Sequence, residues 1–239
     1  VSCVRIHVGL LGLPTTRRVT HEDTQMTEQR LLWGTGTSRT LRARWMLHEL
    51  GLPYESRPIT SRSGETLTPE YTALNPSQKI PALQEGDFVL TESAAIVNYL
   101  ATAYGADKGL APPTDVRARA RYDHWCFFSM MELDANTLYV IRKHEDLHAI
   151  YGEAPAALNA AREGYARQAR AAALRLGAGP YILGAQFSGA DILFSTCLNG
   201  AIRRNIELPD VLREYLSHTT ARPAYKSALA ANQPARTPR

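Results

Sequence analysis

Residues 80–99 read I-P-A-L-Q-E-G-D-F-V-L-T-E-S-A-A-I-V-N-Y, and this stretch decides the fold. Two short apolar runs flank the turn residues 85–87, a pattern that predicts a β-hairpin. Glu92 and Ser93 then open an apolar segment, as expected of a helix that starts where a strand ends. Pro81 precedes the first strand and has no N–H for a central ladder, so it predicts a turn, with a cis bond as one form.

Strand-like and helix-like segments alternate upstream of this hairpin. Arg30–Gly34 is predicted as a short buried strand, and Thr37–Leu50 as a helix with Gly51 as its C-cap. Tyr54–Ile59 is predicted as a second strand, and Thr68 followed by proline as the start of a short helix. The predicted order is β-α-β-α-β-β-α, an α/β domain whose small sheet has helices on both faces.

The rest of the chain is organised differently. Residues 114–230 are predicted to be almost wholly helical, and the glycine- and proline-rich residues 105–113 have the composition of a linker. The first 25 residues carry no clear periodicity, so we interpret them as a disordered extension or a misassigned start upstream of Met26. The predicted divisions are 1–25, a first domain at 26–104, the linker at 105–113, a helical domain at 114–230 and a frayed tail at 231–239.

Composition excludes several classes of protein. No segment approaches the roughly 18 apolar residues of a membrane helix, so no membrane partner is expected. The cysteines at 3, 126 and 197 are too far apart for a disulfide framework or a C-x-x-C motif, and such sparse use fits a reducing compartment.

The net charge is only +4 and basic runs are no longer than pairs, so no nucleic-acid partner is expected. His144 and His148 have helical spacing but no evident third ligand, so we predict no metal site.

Two candidate sites lie where a loop precedes a helix or strand. Residues 34–39 read G-T-G-T-S-R, and a helix that begins there would favour an anion, because its N-terminus has free N–H groups and partial positive charge. The simpler interpretation is that Thr37 or Ser38 only caps the helix. Residues 75–83 read N-P-S-Q-K-I-P-A-L. The turn at Pro81 can leave the backbone of Ile80 free to pair with a ligand, or it is an ordinary turn.

The third candidate site is the pair Glu92-Ser93 at the start of a helix. A carboxylate and a hydroxyl next to free N–H groups suit a ligand that carries both an ammonium and a carboxylate. Glu92 would bind the ammonium, and Ser93 with its N–H would bind the carboxylate. The alternative is that the pair only caps the helix.

These three segments, in this order and spacing, resemble the cytosolic glutathione transferases. The residues 80–99 and the helix exit E-L-G-L-P-Y-E at 49–55 are very similar to that family. The resemblance covers residues 30–230 and implies a thioredoxin-like N-terminal domain followed by an all-α helical-bundle domain. It further implies glutathione as co-substrate, a homodimer, a cytoplasmic location, and the bacterial type that uses serine or threonine, since no tyrosine or cysteine lies near residue 37.

The resemblance also implies roles for individual residues. Glu92 and Ser93 correspond to the γ-glutamyl-binding pair, and Ile80, before a cis-Pro81, to the residue whose backbone pairs with the cysteinyl part of glutathione. Lys79 lies where the family often has a polar or basic residue toward the glycyl carboxylate, although a solvated lysine is equally expected of a turn.

Two features of the predicted site remain open: which hydroxyl stabilises the thiolate, and the geometry of the turn at Gln78. The family has a hydroxyl or thiol at the end of the first strand that stabilises the glutathione thiolate. Alignment back from Gly51 favours Thr37, with Ser38 as the alternative one residue on. Gln78 replaces a common glycine of the family, which puts the geometry of that turn in question.

The helical domain contains two further predicted features. Trp125, Phe128, Ser129 and Glu132 recur at helical spacing and are predicted to line a pocket for a hydrophobic electrophile, with core packing as the alternative. Ser188 and Asp191 have the spacing of a capping box, and we interpret them as structural.

The expected activity is that of a glutathione transferase in detoxification, in which the glutathione thiolate attacks a hydrophobic electrophile. The alternatives are a glutathione-dependent peroxidase or disulfide reductase on the same fold, and a noncatalytic glutathione-transferase-like binding protein.

Overall fold

A computed structural model describes residues 29–234. The sheet has four strands, β1 (Arg30–Trp33), β2 (Glu55–Arg57), β3 (Ala82–Glu85) and β4 (Phe88–Thr91). Their order is β2-β1-β3-β4, with β1 parallel to β2 and antiparallel to β3, and with β3 antiparallel to β4. This is a thioredoxin-like sheet, and the predicted β-α-β-α-β-β-α order is confirmed. The predicted extension at 1–25 lies outside the described residues.

Three helices pack on this sheet: α1 (Ser38–Leu50), α2 (Pro69–Leu74) and α3 (Ser93–Tyr104). Helix α1 begins where the Thr37 hydroxyl accepts a hydrogen bond from the Thr40 N–H at 3.0 Å. It ends at Gly51, whose φ of 66° allows the N–H of Leu52 to reach the carbonyl of Leu47 at 3.0 Å. These two caps fix the orientation of α1 at the end of β1.

The second half is helical, as predicted, but its first helix does not continue as an α-helix. The α-helices are α4 (Val116–Phe128), α5 (Tyr139–Ile141), α6 (His148–Tyr151), α7 (Pro155–Arg175), α8 (Gly189–Ile202), α9 (Asp210–Thr220) and α10 (Pro223–Ala231). Two π-helical segments, Ser129–Leu138 and Arg142–Asp146, interrupt the run after α4. Hydrogen bonds from residue i to i+5 change which side chains share a face, and such segments occur often at functional sites.

One hydrophobic core connects the two halves. The fully buried Trp45 of α1 packs against Phe187 and Tyr225, with ring centroids 5.7 and 4.7 Å away. In the first turn of α8, the buried Asp191 carboxylate accepts hydrogen bonds from the N–H and hydroxyl of Ser188, each at 2.8 Å. The same carboxylate accepts from the Ile182 N–H and from Tyr215, so it joins three segments of the helical half.

The end of the chain differs from the frayed tail predicted at 231–239. Asn232 is buried, and its carbonyl accepts hydrogen bonds from the Gly36 N–H at 2.9 Å and from the Thr35 hydroxyl at 3.1 Å. Its side-chain amide donates to the Thr37 carbonyl at 3.0 Å. The frayed tail was predicted from local composition, which does not indicate long-range contacts. These contacts attach the end of α10 to the loop between β1 and α1. Residues 235–239 lie outside the described residues.

Candidate functional site

A cleft of about 540 Å³ opens where the loops after β1, before β3 and after β4 meet. Six residues singled out from the sequence line it together: Thr37, Lys79, Ile80, Pro81, Glu92 and Ser93. The opposite wall comes from the helical half and includes Tyr139, Arg142 and Tyr151. Residues more than fifty positions apart in the sequence therefore share one concave surface.

The loop before β3 presents unpaired backbone to this cleft. The bond between Ile80 and Pro81 is cis, as predicted. Within residues 29–234, neither the N–H nor the carbonyl of Ile80 forms a hydrogen bond. The loop is held from behind, because the Tyr71 hydroxyl and the Asn75 amide donate to the carbonyl of Lys79 at 2.6 and 2.7 Å. Gly34 is required next to it, since a Cβ there would lie 2.8 Å from the Ile80 Cβ.

The turn at Gln78 has the geometry for which a glycine is usual. Its φ is 54°, in the left-handed region, which is unfavourable for residues with a side chain. The Gln78 amide donates to the Thr72 hydroxyl at 3.1 Å. Gln78 therefore adopts the left-handed backbone conformation at a local cost in conformational energy.

Glu92 and Ser93 occupy the junction between β4 and α3. Glu92 is exposed and has a φ of 64°, a strained value for a residue other than glycine. Its carboxylate forms no hydrogen bond or ion pair within the described part of the chain. Ser93 is buried, and its hydroxyl accepts a hydrogen bond from Arg42 at 3.2 Å. The hydroxyl hydrogen of Ser93 therefore stays available for a ligand.

Thr37 and Ser38 have different surroundings at the start of α1. The Thr37 hydroxyl accepts from the Thr40 N–H, lies 2.9 Å from the Thr40 hydroxyl and lines the main cleft. The Ser38 hydroxyl has no hydrogen-bond partner among residues 29–234 and lines a second, adjoining cavity. Either hydroxyl can donate to an anion at this helix N-terminus.

A buried arginine supports the site from behind. Arg42 is only 2% exposed, pairs with Asp134 at 2.9 Å and donates to Thr196 at 2.8 Å. Arg39 pairs with the other oxygen of Asp134 at 2.6 Å. Burial alone would lower the pKa of Arg42, but its interactions with Asp134 and Cys197 together outweigh burial, and the net pKa is raised. The sequence analysis missed this role, although an arginine next to Leu41 on the apolar side of α1 was a signal.

Comparison with known proteins agrees with this geometry. Residues 28–102 match the family model of the glutathione S-transferase N-terminal domain. Glutathione S-transferase theta-1 from Bos taurus is 36% identical over 102 residues, which are 43% of this chain and 42% of that protein. The aligned segments span less than half of the curated relatives.

Solved structures extend the match to both halves. A glutathione S-transferase from Xylella fastidiosa has a TM-score of 0.74 and 26% identity, covering 85% of this chain and 98% of its own. A theta-class glutathione S-transferase from Xanthomonas axonopodis pv. citri, solved with glutathione bound, has a TM-score of 0.71 and 28% identity over the same shares. Residues 28–102 are thus similar in sequence to the glutathione S-transferase N-terminal domain, and the described chain shares the fold of these solved glutathione transferases.

The stripe predicted for the second substrate does not line the main cleft or the adjoining cavity, although Trp125 lines a third cavity of about 500 Å³ together with residues between 175 and 184. Trp125 and Phe128 are 6% and 7% exposed, and the Trp125 ring packs against Phe194 at 5.3 Å. Ser129 is fully buried, and Glu132 accepts a hydrogen bond from Gln168 at 3.0 Å. Trp125 and Phe128 belong to α4, before the π segment that starts at Ser129, and several residues from Asp134 onward line the adjoining cavity at the start of α1.

Reactive or metal-binding groups other than these hydroxyls are sparse at the site. Burial raises the pKa of Cys126 and of Cys197 to about 12, so both thiols are protonated at neutral pH. Among residues 29–234, no three His, Cys, Asp or Glu side chains cluster as metal ligands. Over the same range, no helix is long and apolar enough to cross a membrane.

Proposed function

We propose that the protein is a glutathione transferase that binds glutathione in the main cleft and activates its thiol as a thiolate. The observation that carries this proposal is the single cleft that joins Thr37, the backbone of Ile80 before a cis proline, and Glu92-Ser93. The N-terminus of α1 matches the thiolate of glutathione. The unpaired backbone of Ile80 matches its peptide backbone, and the pair Glu92-Ser93 matches its γ-glutamyl end.

The proposed binding roles follow from the contacts of each residue. Glu92 accepts the α-ammonium of the γ-glutamyl group, and Ser93, which is oriented by Arg42, donates to its carboxylate. The free N–H and carbonyl of Ile80, next to Pro81, pair with the cysteinyl residue. Lys79 is exposed at the rim of the cleft, where its ammonium neutralises the glycyl carboxylate.

Thiolate stabilisation at the start of α1 supplies the catalysis. A free thiol has a pKa of about 8.5, and lowering it by about two units requires roughly 2.7 kcal/mol of preferential thiolate stabilisation. One hydrogen bond to a charged acceptor contributes about 1.5–3 kcal/mol, and a helix N-terminus about 0.3–1 kcal/mol. Thr37, with Ser38 as the alternative donor, and the N-terminus of α1 are together sufficient.

A turnover assay separates the candidate activities. We expect glutathione-dependent displacement of chloride from 1-chloro-2,4-dinitrobenzene, and no comparable turnover of cumene hydroperoxide or hydroxyethyl disulfide. Turnover of the peroxide or the disulfide alone would replace the transferase by the peroxidase or reductase alternative. Glutathione binding without any turnover would indicate the noncatalytic alternative, and no glutathione binding would overturn the proposal.

The Glu92 role has its own matched test. Glu92→Gln should raise the KM for glutathione about tenfold or more, because a charge-assisted hydrogen bond to the ammonium is lost. Glu70→Gln, an exposed glutamate on α2, is the control and should leave this KM unchanged.

We further propose a cytoplasmic, bacterial homodimer that acts in detoxification. The resemblance to bacterial members such as those from Xylella and Xanthomonas supports the bacterial origin. The proposed division into a glutathione-binding domain at 26–104, a linker at 105–113 and a substrate domain at 114–230 has the family match at 28–102 as support. Size-exclusion chromatography with light scattering tests the dimer.

A further inference from the structure

The second cavity beside the start of α1 is strongly polar and basic. Its volume is about 350 Å³, and five arginines and three carboxylates line it together with Ser38. It adjoins the main cleft, because Thr37, Arg39, Tyr139 and Arg142 line both. A group bound there would lie next to a thiolate held at the start of α1.

The carboxylates in this cavity already have partners. Asp134 pairs with Arg39 and Arg42, and Asp146 pairs with Arg204 at 2.6 Å. Glu145 pairs at 2.6 Å with Arg162, which is not part of the cavity wall. Two wall arginines, Arg142 and Arg203, have no acidic partner within residues 29–234.

Arg142 is the more constrained of these two cations. It is half-buried at the start of the second π segment, and its side chain forms no hydrogen bond in the described part of the chain. Burial lowers its pKa, and the positive charges of Arg62, Arg39 and Arg204 lower it further. A partly desolvated arginine among other arginines is stabilised when an anion binds between them.

We propose that this cavity binds the electrophilic co-substrate, and that the co-substrate carries a carboxylate or a similar anionic group bound by Arg142 with Arg203. This inference rests on the proposed transferase function. It replaces the purely hydrophobic electrophile expected from the sequence, because the apolar stripe of α4 is buried and the accessible wall is charged. In the transfer, the thiolate sulfur bonds to the electrophilic carbon and the leaving group departs with its electron pair. Arg142 only positions the substrate.

The test uses the binding of two conjugates and requires no turnover. S-(4-carboxy-2-nitrophenyl)glutathione and its methyl ester on the aryl carboxyl group differ by one negative charge and one methyl group. Titration calorimetry on the full chain should give a Kd about tenfold lower, or more, for the carboxylate conjugate. Arg142→Gln should abolish that preference, and Arg142→Lys should restore part of it. Arg170→Gln, an exposed arginine on α7, should leave the preference unchanged, and an unchanged melting temperature shows that each variant is folded.

The outcomes separate this inference from the proposed function. Equal affinity of the wild-type protein for the two conjugates would overturn the anionic-substrate inference, while glutathione binding would still support the transferase. An equal loss of affinity for glutathione and for both conjugates in Arg142→Gln would also overturn it, because Arg142 would then bind glutathione itself. Failure of glutathione and of both conjugates to bind would overturn the proposed function.

Discussion

Replacing Arg42 by methionine removes the cation that joins the two halves behind the site. The guanidinium is buried and pairs with Asp134 at 2.9 Å, and it also donates to Thr196 and Ser93. Breaking a buried ion pair by removing one partner costs about 3–5 kcal/mol, because the remaining charge is uncompensated. Arg39 still pairs with Asp134, so we expect a loss near the lower end, about 3 kcal/mol of unfolding free energy.

A double-mutant cycle with Asp134→Asn isolates the pair. Each single variant should have a lower free energy of unfolding. The loss in the double variant should be smaller than the sum of the two single losses by about 1–3 kcal/mol. Urea unfolding followed by circular dichroism measures these values. The exposed pair Arg119–Asp123 is the matched control, and Arg119→Met should cost no more than about 0.5 kcal/mol. Strictly additive effects, or a loss below about 1 kcal/mol in Arg42→Met, would refute the reasoning.

Three further predictions concern the supports of the site. Asp191→Ala leaves the donors of Ile182, Ser188 and Tyr215 without their buried acceptor, so urea unfolding should show a loss of about 3 kcal/mol or more; a loss below about 1 kcal/mol would contradict this. Gln78→Gly relieves the left-handed strain and should leave the melting temperature equal or higher, with stabilisation of up to about 1 kcal/mol; a clear decrease would count against the strain. Asn232→Ala removes the hydrogen bond to the Thr37 carbonyl. Loss of that bond, worth about 1 kcal/mol, should lower kcat/KM for glutathione about fivefold. The exposed control Gln233→Ala should leave kcat/KM unchanged.

Local features of the fold could be predicted from the sequence because neighbouring residues determine them. The hairpin after Pro81, the cap at Thr37 and the C-cap at Gly51 each depend on a few consecutive positions. The cis bond at Ile80–Pro81 was expected from the resemblance to the glutathione transferases, whereas the residues alone gave it only as one form of the turn.

Long-range features of the candidate site could not be predicted in the same way. The pairing of Arg42 with Asp134 joins positions 92 residues apart, and no local pattern indicates it. Of the stripe predicted from α-helical spacing, Trp125 lines a cavity separate from the main cleft, whereas Phe128 and Ser129 are buried, and the π segment from Ser129 changes the face that later residues present.

The central claim is that the start of α1 stabilises the glutathione thiolate. Its most direct test is the ultraviolet thiolate difference signal as glutathione is titrated onto the protein at neutral pH, with Thr37→Ala and Ser38→Ala in parallel. The account predicts a saturable signal that is lost in Thr37→Ala and retained in Ser38→Ala; the reverse pattern would assign the hydroxyl to Ser38. Binding of glutathione without any thiolate signal, or a signal that persists when both hydroxyls are removed, would contradict the account.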